Sequence, residues 1–240
     1  MPTHRARLVA GARRLAREGT STKLLLTTLA AQLIFQFGFA RLYPTEIMSN
    51  LIQKITELAY LSYARMQSQE EVIDMQDHLS QILTALIIAP ASPQEYPPAA
   101  RLFPELQQIF PDAHFSLLVE NSFAANAGAY ENVQVLTYDA GQVGFHGLPK
   151  KDLQDLIRTR RFDLVVDLNC DFNLVAACLC HVSNAKLRVC LQNAQRDPLY
   201  NFQVRVAEHH SIELKYDSLL KYLSIFRPLP NAPAQDLMSV

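Results

Sequence analysis

Glycine is scarce in this chain, and the places where it is missing carry information. Only seven glycines occur in 240 residues, none between Gly38 and Gly128 and none after Gly147. The turn from Ala89 to Pro98, which leaves the first apolar strand pattern, therefore has none. Dinucleotide and P-loop sites need glycine at that turn, so that the backbone can bend tightly and approach phosphate closely. Neither G-x-G-x-x-G nor G-x-x-x-x-G-K-S/T occurs anywhere. This argues against a nicotinamide, flavin or ATP site of the usual kind, and no cofactor is expected.

Cysteine is also sparse. Four cysteines in 240 residues do not make a disulfide scaffold, and they read as reduced thiols in a cytoplasmic setting. Cys178 and Cys180 lie two apart on a helical pattern, so they point to nearly opposite sides and cannot share one metal. Cys170 and Cys190 fall on separate elements. The pair His209-His210 reads as an exposed turn, and no metal is expected.

No charge excess of either sign marks a partner. The formal net charge is -1, so no basic field recruits nucleic acid. The average conceals an asymmetry, because residues 1–47 carry seven Lys/Arg against Glu18 and Glu46. Behind that basic start comes "LLLTTLAAQLIFQFGFA" (Leu24–Ala40), which Thr27, Thr28, Gln32 and Gln36 interrupt. It falls short of the roughly 20 apolar residues that span a bilayer, and no A-x-A cleavage site follows it. Three readings of residues 1–47 stand: a membrane contact through residues 24–40, an amphipathic helix packed on the domain, or a stretch preceding a natural start at Met48.

Hydrophobic residues make up 49% of the chain and charged residues 19%, as in a globular protein with a sizeable core. Over residues 49–79, Leu51, Ile55, Leu58, Leu61 and Met66 recur at helical steps, which predicts an amphipathic lead-in helix (48–80) broken near Gln67. Then the period changes. "ILTALIIA" (Ile82–Ala89) reads as a buried parallel strand, followed by the helix "AARLFPELQQIF". Further strands are expected at His114–Glu120, Asn132–Asp139, "FDLVVDL" (162–168), "KLRVCL" (186–191) and near Phe202–Val206. Helices are expected around Phe123–Ala129, in "KKDLQDLIRTRR", in "DFNLVAACLCHVSNA" and at Glu213–Phe226. Strands alternating with helices imply right-handed crossovers. The expected fold is a three-layer α/β/α Rossmann-like domain (81–227) with a parallel sheet of five to six strands, an N-terminal helical extension, and a proline-bearing tail (228–240).

Several stretches resemble one known family. "LIIAPASPQEYPPAARLFPELQQIFPDAHFSLLVE" resembles the first βαβ unit of glycosyltransferase family nine, the heptosyltransferases. "ENVQVLTYD" resembles their third strand, and "RRFDLVVDLN…SNAKLRVCL" their "RYDLVIDLQ…SGAKRRIGF" segment. The likeness covers about residues 82–191. Counting back from Phe110-Pro111-Asp112-Ala113, the loop Asp of that family falls on Glu95, and the resemblance implies that this carboxylate would deprotonate an acceptor sugar hydroxyl. The family's flanking glycines are here Ala91 and Gln94, with Pro93 and Pro97 added. After Leu191 about 50 residues remain, so the likeness is to an acceptor half without a donor half. From "GFHGLPKKDLQDLI" to "YDSLLKYLSIF" the chain also resembles a small uncharacterised family of single-domain Rossmann-like proteins.

In an open parallel sheet, ligands sit beyond the carboxyl ends of the strands where strand order reverses. With the order 3-2-1-4-5, that crevice is flanked by Gln94, Glu95 and Tyr96 on one side. Asp167, Asn169, Asp171 and Asn173 face them from the other. Neither loop holds a lysine or arginine, so the rim suits hydroxyl-rich ligands or a cation better than phosphate. Plain structural roles compete: Asp171 as N-cap of the next helix, Asp167 as acceptor of backbone amides, Glu95 as a solvated loop residue. The expected function is a degenerate, non-catalytic glycosyltransferase-like module that binds a protein partner, a second copy of itself or a sugar. An active transferase with Glu95 as base and its donor domain on another chain is the rival, and a peripheral membrane protein held by residues 1–47 is the third reading.

Overall fold

The computed structural model describes residues 45–67, 78–79, 81–126, 130, 132–193 and 195–225. The basic and apolar stretches of residues 1–44, including the membrane-contact candidate 24–40, lie outside the described residues, as does the tail 228–240. Among the described residues no helix is long and apolar enough to cross a membrane. The chain divides into two compact units, Met1–Ser68 with Val143–Leu148, and Gln69–Gln142 with Pro149–Val240.

The first unit contains helix α1 (Thr45–Gln67). Residues 68–77, where the helical pattern is expected to break, lie outside the described residues. Ile52, Tyr60, Leu61 and Ala64 are buried, while Leu51, Leu58 and Met66 are exposed. Lys54 and Glu57, one turn apart, form an ion pair at 3.0 Å.

The second unit is a six-stranded, all-parallel sheet in the order β3-β2-β1-β4-β5-β6. Its strands are β1 (Thr84–Ile88), β2 (His114–Glu120), β3 (Val133–Tyr138), β4 (Leu164–Asp167), β5 (Leu187–Leu191) and β6 (Phe202–Val204). Between and after them run α2 (Tyr96–Ile109), α3 (Lys151–Arg158), α4 (Leu174–Val182) and α5 (Ile212–Ile225). Of the helix expected around Phe123–Ala129, residues 127–129 lie outside the described residues, and Asn121–Asn126 form a 3-10 helix.

Period-two side-chain alternation sends Ala85 and Ile87 to the face that also buries Phe115, Leu117, Leu164 and Val166. There they join Leu102 and Leu106 of α2 and Leu219 and Leu223 of α5. The opposite parity, Leu86, Ile88, Leu118 and Val165, is equally buried. Both faces are thus covered, which is why these strands read as continuous apolar runs rather than as alternating ones. Each fully buried Leu or Ile contributes about 1.5–3 kcal/mol of transfer free energy.

With glycine scarce, other residues occupy left-handed backbone. Asn132, Arg161 and Asn184 have φ of 60°, 50° and 52°. Asn184 follows the Ser183 C-cap of α4, the place where a glycine usually ends a helix. Asn tolerates this conformation because its short polar side chain bonds locally.

Candidate functional site

Strand order reverses between β1 and β4, whose last residues Ile88 and Asp167 are paired neighbours. Chain reversal there delivers two loops, Ala89–Glu95 and Leu168–Asn173, to the same edge. Ala89 is tied down by its own N–H, which donates to the Leu118 carbonyl (2.9 Å). The Ser92 carbonyl accepts from the N–H groups of both Glu95 and Tyr96 at 3.1 Å, so the loop turns without glycine. Helix α2 then starts with Pro97 and Pro98 in its first turn, where the missing donors cost nothing.

Glu95 occupies the N-cap of α2 but makes no side-chain cap bond. Its carboxylate instead reaches across the crevice and accepts from the Cys170 N–H at 2.9 Å. Asn169 makes the reciprocal strap, its Oδ1 accepting from the Ala91 N–H at 3.0 Å. Two hydrogen bonds therefore sew the two loops together over the reversal point. Glu95 is only 9% exposed, which corrects the solvated-loop expectation. Burial is the main cause that pushes its pKa above the usual carboxylate range. The Cys170 N–H and Arg196 pull it down, and Asp171 and Asp167 push it up further.

Below the straps lies a buried polar cluster. Asp167 is 1% exposed. Its Oδ1 accepts from the Asn169 N–H (3.0 Å) and Nδ2 (2.6 Å), and its Oδ2 from the Tyr200 hydroxyl (2.6 Å). Arg196 is fully buried. Its Nη1 donates to the Leu191 carbonyl (3.0 Å), and its Nη2 to the carbonyls of Asn169 (2.7 Å) and Asp171. The guanidinium carbon lies 5.9 Å from the Tyr200 ring centroid. From α5, the Tyr216 hydroxyl donates to the Leu168 carbonyl at 2.7 Å. The ends of β4 and β5, the two connections that follow them and helix α5 thus meet in one knot.

Not every expected site residue joins it. Gln94 and Asp171 are exposed. Asp171 is not the N-cap of α4: Asn173 is, its Oδ1 accepting from the Ala176 N–H at 3.0 Å. The segment between Asp167 and the helix is extended by two residues relative to that expectation, because Asp171 contributes its carbonyl to Arg196. Tyr96 is 3% exposed and stacks on Phe123 at 5.3 Å, and its hydroxyl finds no hydrogen-bond partner among the described residues. Arg196 was missed altogether. It lies in the β5–β6 connection, and only its place beyond a strand's carboxyl end marked it.

The thiols are suppressed. Burial pushes Cys170 up to about 11 and Cys190 to about 12, with Cys180 also well above the ordinary thiol value. No cysteine forms a disulfide, and no group of three metal-ligating side chains exists among the described residues. His209 and His210 are exposed, with ring centroids 4.8 Å apart.

An opening remains, but one strand further along. A cavity of about 300 Å³ sits at the carboxyl ends of β4, β5 and β6, lined in part by Cys170, Asp171, Gln192, Asn193, Glu208 and Lys215. It offers two carboxylates, two amides and one ammonium.

The fold is that of a Rossmann-like parallel α/β domain, and solved structures share it. It resembles the glycosyl transferase family 9 protein of Veillonella parvula (TM-score 0.52, 12% identity, 62% of this chain and 42% of that one). The E. coli heptosyltransferase WaaC with ADP is matched at TM-score 0.47 and 15% identity over 62% of this chain and 50% of that one. The chain thus spans half or less of the length of these structures. No protein-family model and no curated protein sequence matches it.

Glu95 also makes a stability prediction. An acid whose folded pKa is raised binds its proton more tightly when folded. Stability is therefore greatest below the unfolded value of 4.5 and falls as pH rises through the folded value. Glu95→Gln retains an oxygen for the Cys170 N–H and carries no charge. The melting temperature of E95Q should gain on that of the unaltered chain as pH is raised from 4 to 7. A difference independent of pH would show that Glu95 titrates normally.

Proposed function

We propose that this chain is a glycosyltransferase-like domain that serves as a binding or assembly module and does not itself transfer sugar. One observation carries the reading: the carboxylate at the position that the family's base would occupy is engaged on the Cys170 N–H, and the crevice beside it is stitched shut by the chain's own loops. A general base must reach the proton it removes, directly or through one water. An oxygen held on a backbone amide in a closed crevice is poorly placed to do so. Small hydroxyl-rich ligands are left the neighbouring β4–β6 cavity, whose amides and carboxylates suit hydroxyl groups better than phosphate.

The rival reading, an active transferase with its donor domain on another chain, draws support from the raised pKa of Glu95. A desolvated carboxylate is a better base than a solvated one. Incubation with nucleotide sugars and hydroxylated acceptors separates the two. The module reading expects product at the level of a protein-free control, with E95Q indistinguishable from the unaltered chain. Turnover that drops about 100-fold or more in E95Q, the range of a lost general base, would establish the rival.

A further inference from the structure

The two edges of the sheet are treated very differently. β6 is three residues long and runs straight into Arg205. Shortness and charge are ordinary means of keeping an edge strand from recruiting another. β3 has neither. It is six residues long, Val-Gln-Val-Leu-Thr-Tyr, and holds no proline, glycine or charge. It pairs with β2 without a break from Phe115↔Val133 to Glu120↔Tyr138. Among the described residues no backbone hydrogen bond reaches its outer side.

Its side chains are self-complementary. Val133, Val135 and Thr137 share the face of their β2 neighbours Phe115, Leu117 and Val119, and all three are β-branched. Val135 is 37% exposed, and Thr137 is exposed too. An antiparallel pairing centred on Val135 sets Val135 against its own copy and Val133 against the partner's Thr137. That is an unbroken ladder of β-branched pairs, the kind that stabilises paired strands.

That ladder also fixes the direction and the occupant: both of its sides come from the same residues, Val133, Val135 and Thr137, so the partner is a second copy of this chain lying antiparallel.

We propose that β3 is the surface by which two copies of this chain associate, pairing antiparallel about a two-fold axis at Val135 so that their sheets become continuous. The pairing is isologous and closes on itself. It does not depend on whether either copy transfers sugar.

Sedimentation of the full chain tests it. A species of twice 27.1 kDa is expected, retained by Val135→Thr and lost in Val135→Lys, which sets two ammonium groups face to face. Val135→Cys gives an independent reading of register. Only residue 135 meets its own copy, at a Cα separation of about 4.5–5.5 Å, which lies inside the disulfide range. Mild oxidation should therefore cross-link V135C and leave T137C monomeric on a denaturing gel. Should V135K fail to fold by circular dichroism, the cross-link alone decides. A chain that stays monomeric throughout its soluble range overturns the proposal. So does a folded V135K that remains dimeric, or cross-linking of T137C in place of V135C.

Discussion

Replacing Arg196 by methionine is expected to lower the free energy of unfolding by about 3–5 kcal/mol, the range seen when one member of a buried charged network is removed. For a domain of this size the melting temperature should fall by roughly 10 °C or more. Methionine fills much of the volume, so packing is not the main loss. The loss is that the buried carbonyls of Leu191 and Asn169 lose their donor, each at about 1–3 kcal/mol, and the part-buried carbonyl of Asp171 loses its own. Burial by itself works against the guanidinium's proton, yet Asp167, Cys190 and Tyr200 outweigh it and raise its pKa. The group therefore stays charged at every pH of interest. Arg196→Lys should not rescue, because one ammonium cannot span three carbonyls as a planar fork does. Urea unfolding with an unchanged denaturant slope is the measurement, and a loss below about 1 kcal/mol would show that water replaces the guanidinium.

Asp167→Ala should produce a loss of the same order, about 3–5 kcal/mol, from the other side of the knot. Three donors, the Asn169 N–H, the Asn169 amide and the Tyr200 hydroxyl, lose their acceptor together. Tyr200→Phe, which removes one donor and leaves one carboxylate oxygen without its hydroxyl, should cost about 1–3 kcal/mol. Asp167 and Arg196 share Asn169 as a partner, so their losses should not add. The double variant R196M/D167A is expected to fall short of the summed single losses by about 1–3 kcal/mol. Strict additivity in a double-mutant cycle would mean that the carboxylate and the guanidinium ignore each other.

Strands and their order were legible in the sequence because apolar runs such as "ALII" and "LLVE" have one source, a sheet covered on both faces. Strand ends and helix signals then left few topologies open. The crevice was legible as a place, since reversal between β1 and β4 follows from the order. Its state was not. Whether Glu95 points into water or across to Cys170 depends on a backbone N–H 75 residues away, and no local pattern encodes that. The same holds for Arg196, three of whose acceptors are main-chain carbonyls, which have no side-chain signature. Asp171 and Asn173 show a finer failure. Both are good N-cap residues, and the choice between them is made by the carbonyl of Asp171 turning to Arg196.

Sewing β1 to β4 with bonds that span 75 and 78 residues also orders events in time. Loop closure over such distances costs entropy that only the finished sheet repays. During synthesis the chain can pair β1 with β4 once Asp167 has emerged. The donors that quiet this end of the sheet, Arg196, Tyr200 and Tyr216, arrive 29, 33 and 49 residues later. Until then the carbonyls of Leu168, Asn169 and Asp171 and the Oδ2 of Asp167 lack the donors that they have in the folded domain. The polar floor of the crevice thus sets only after β5 and α5 have joined the sheet, later than the two straps above it.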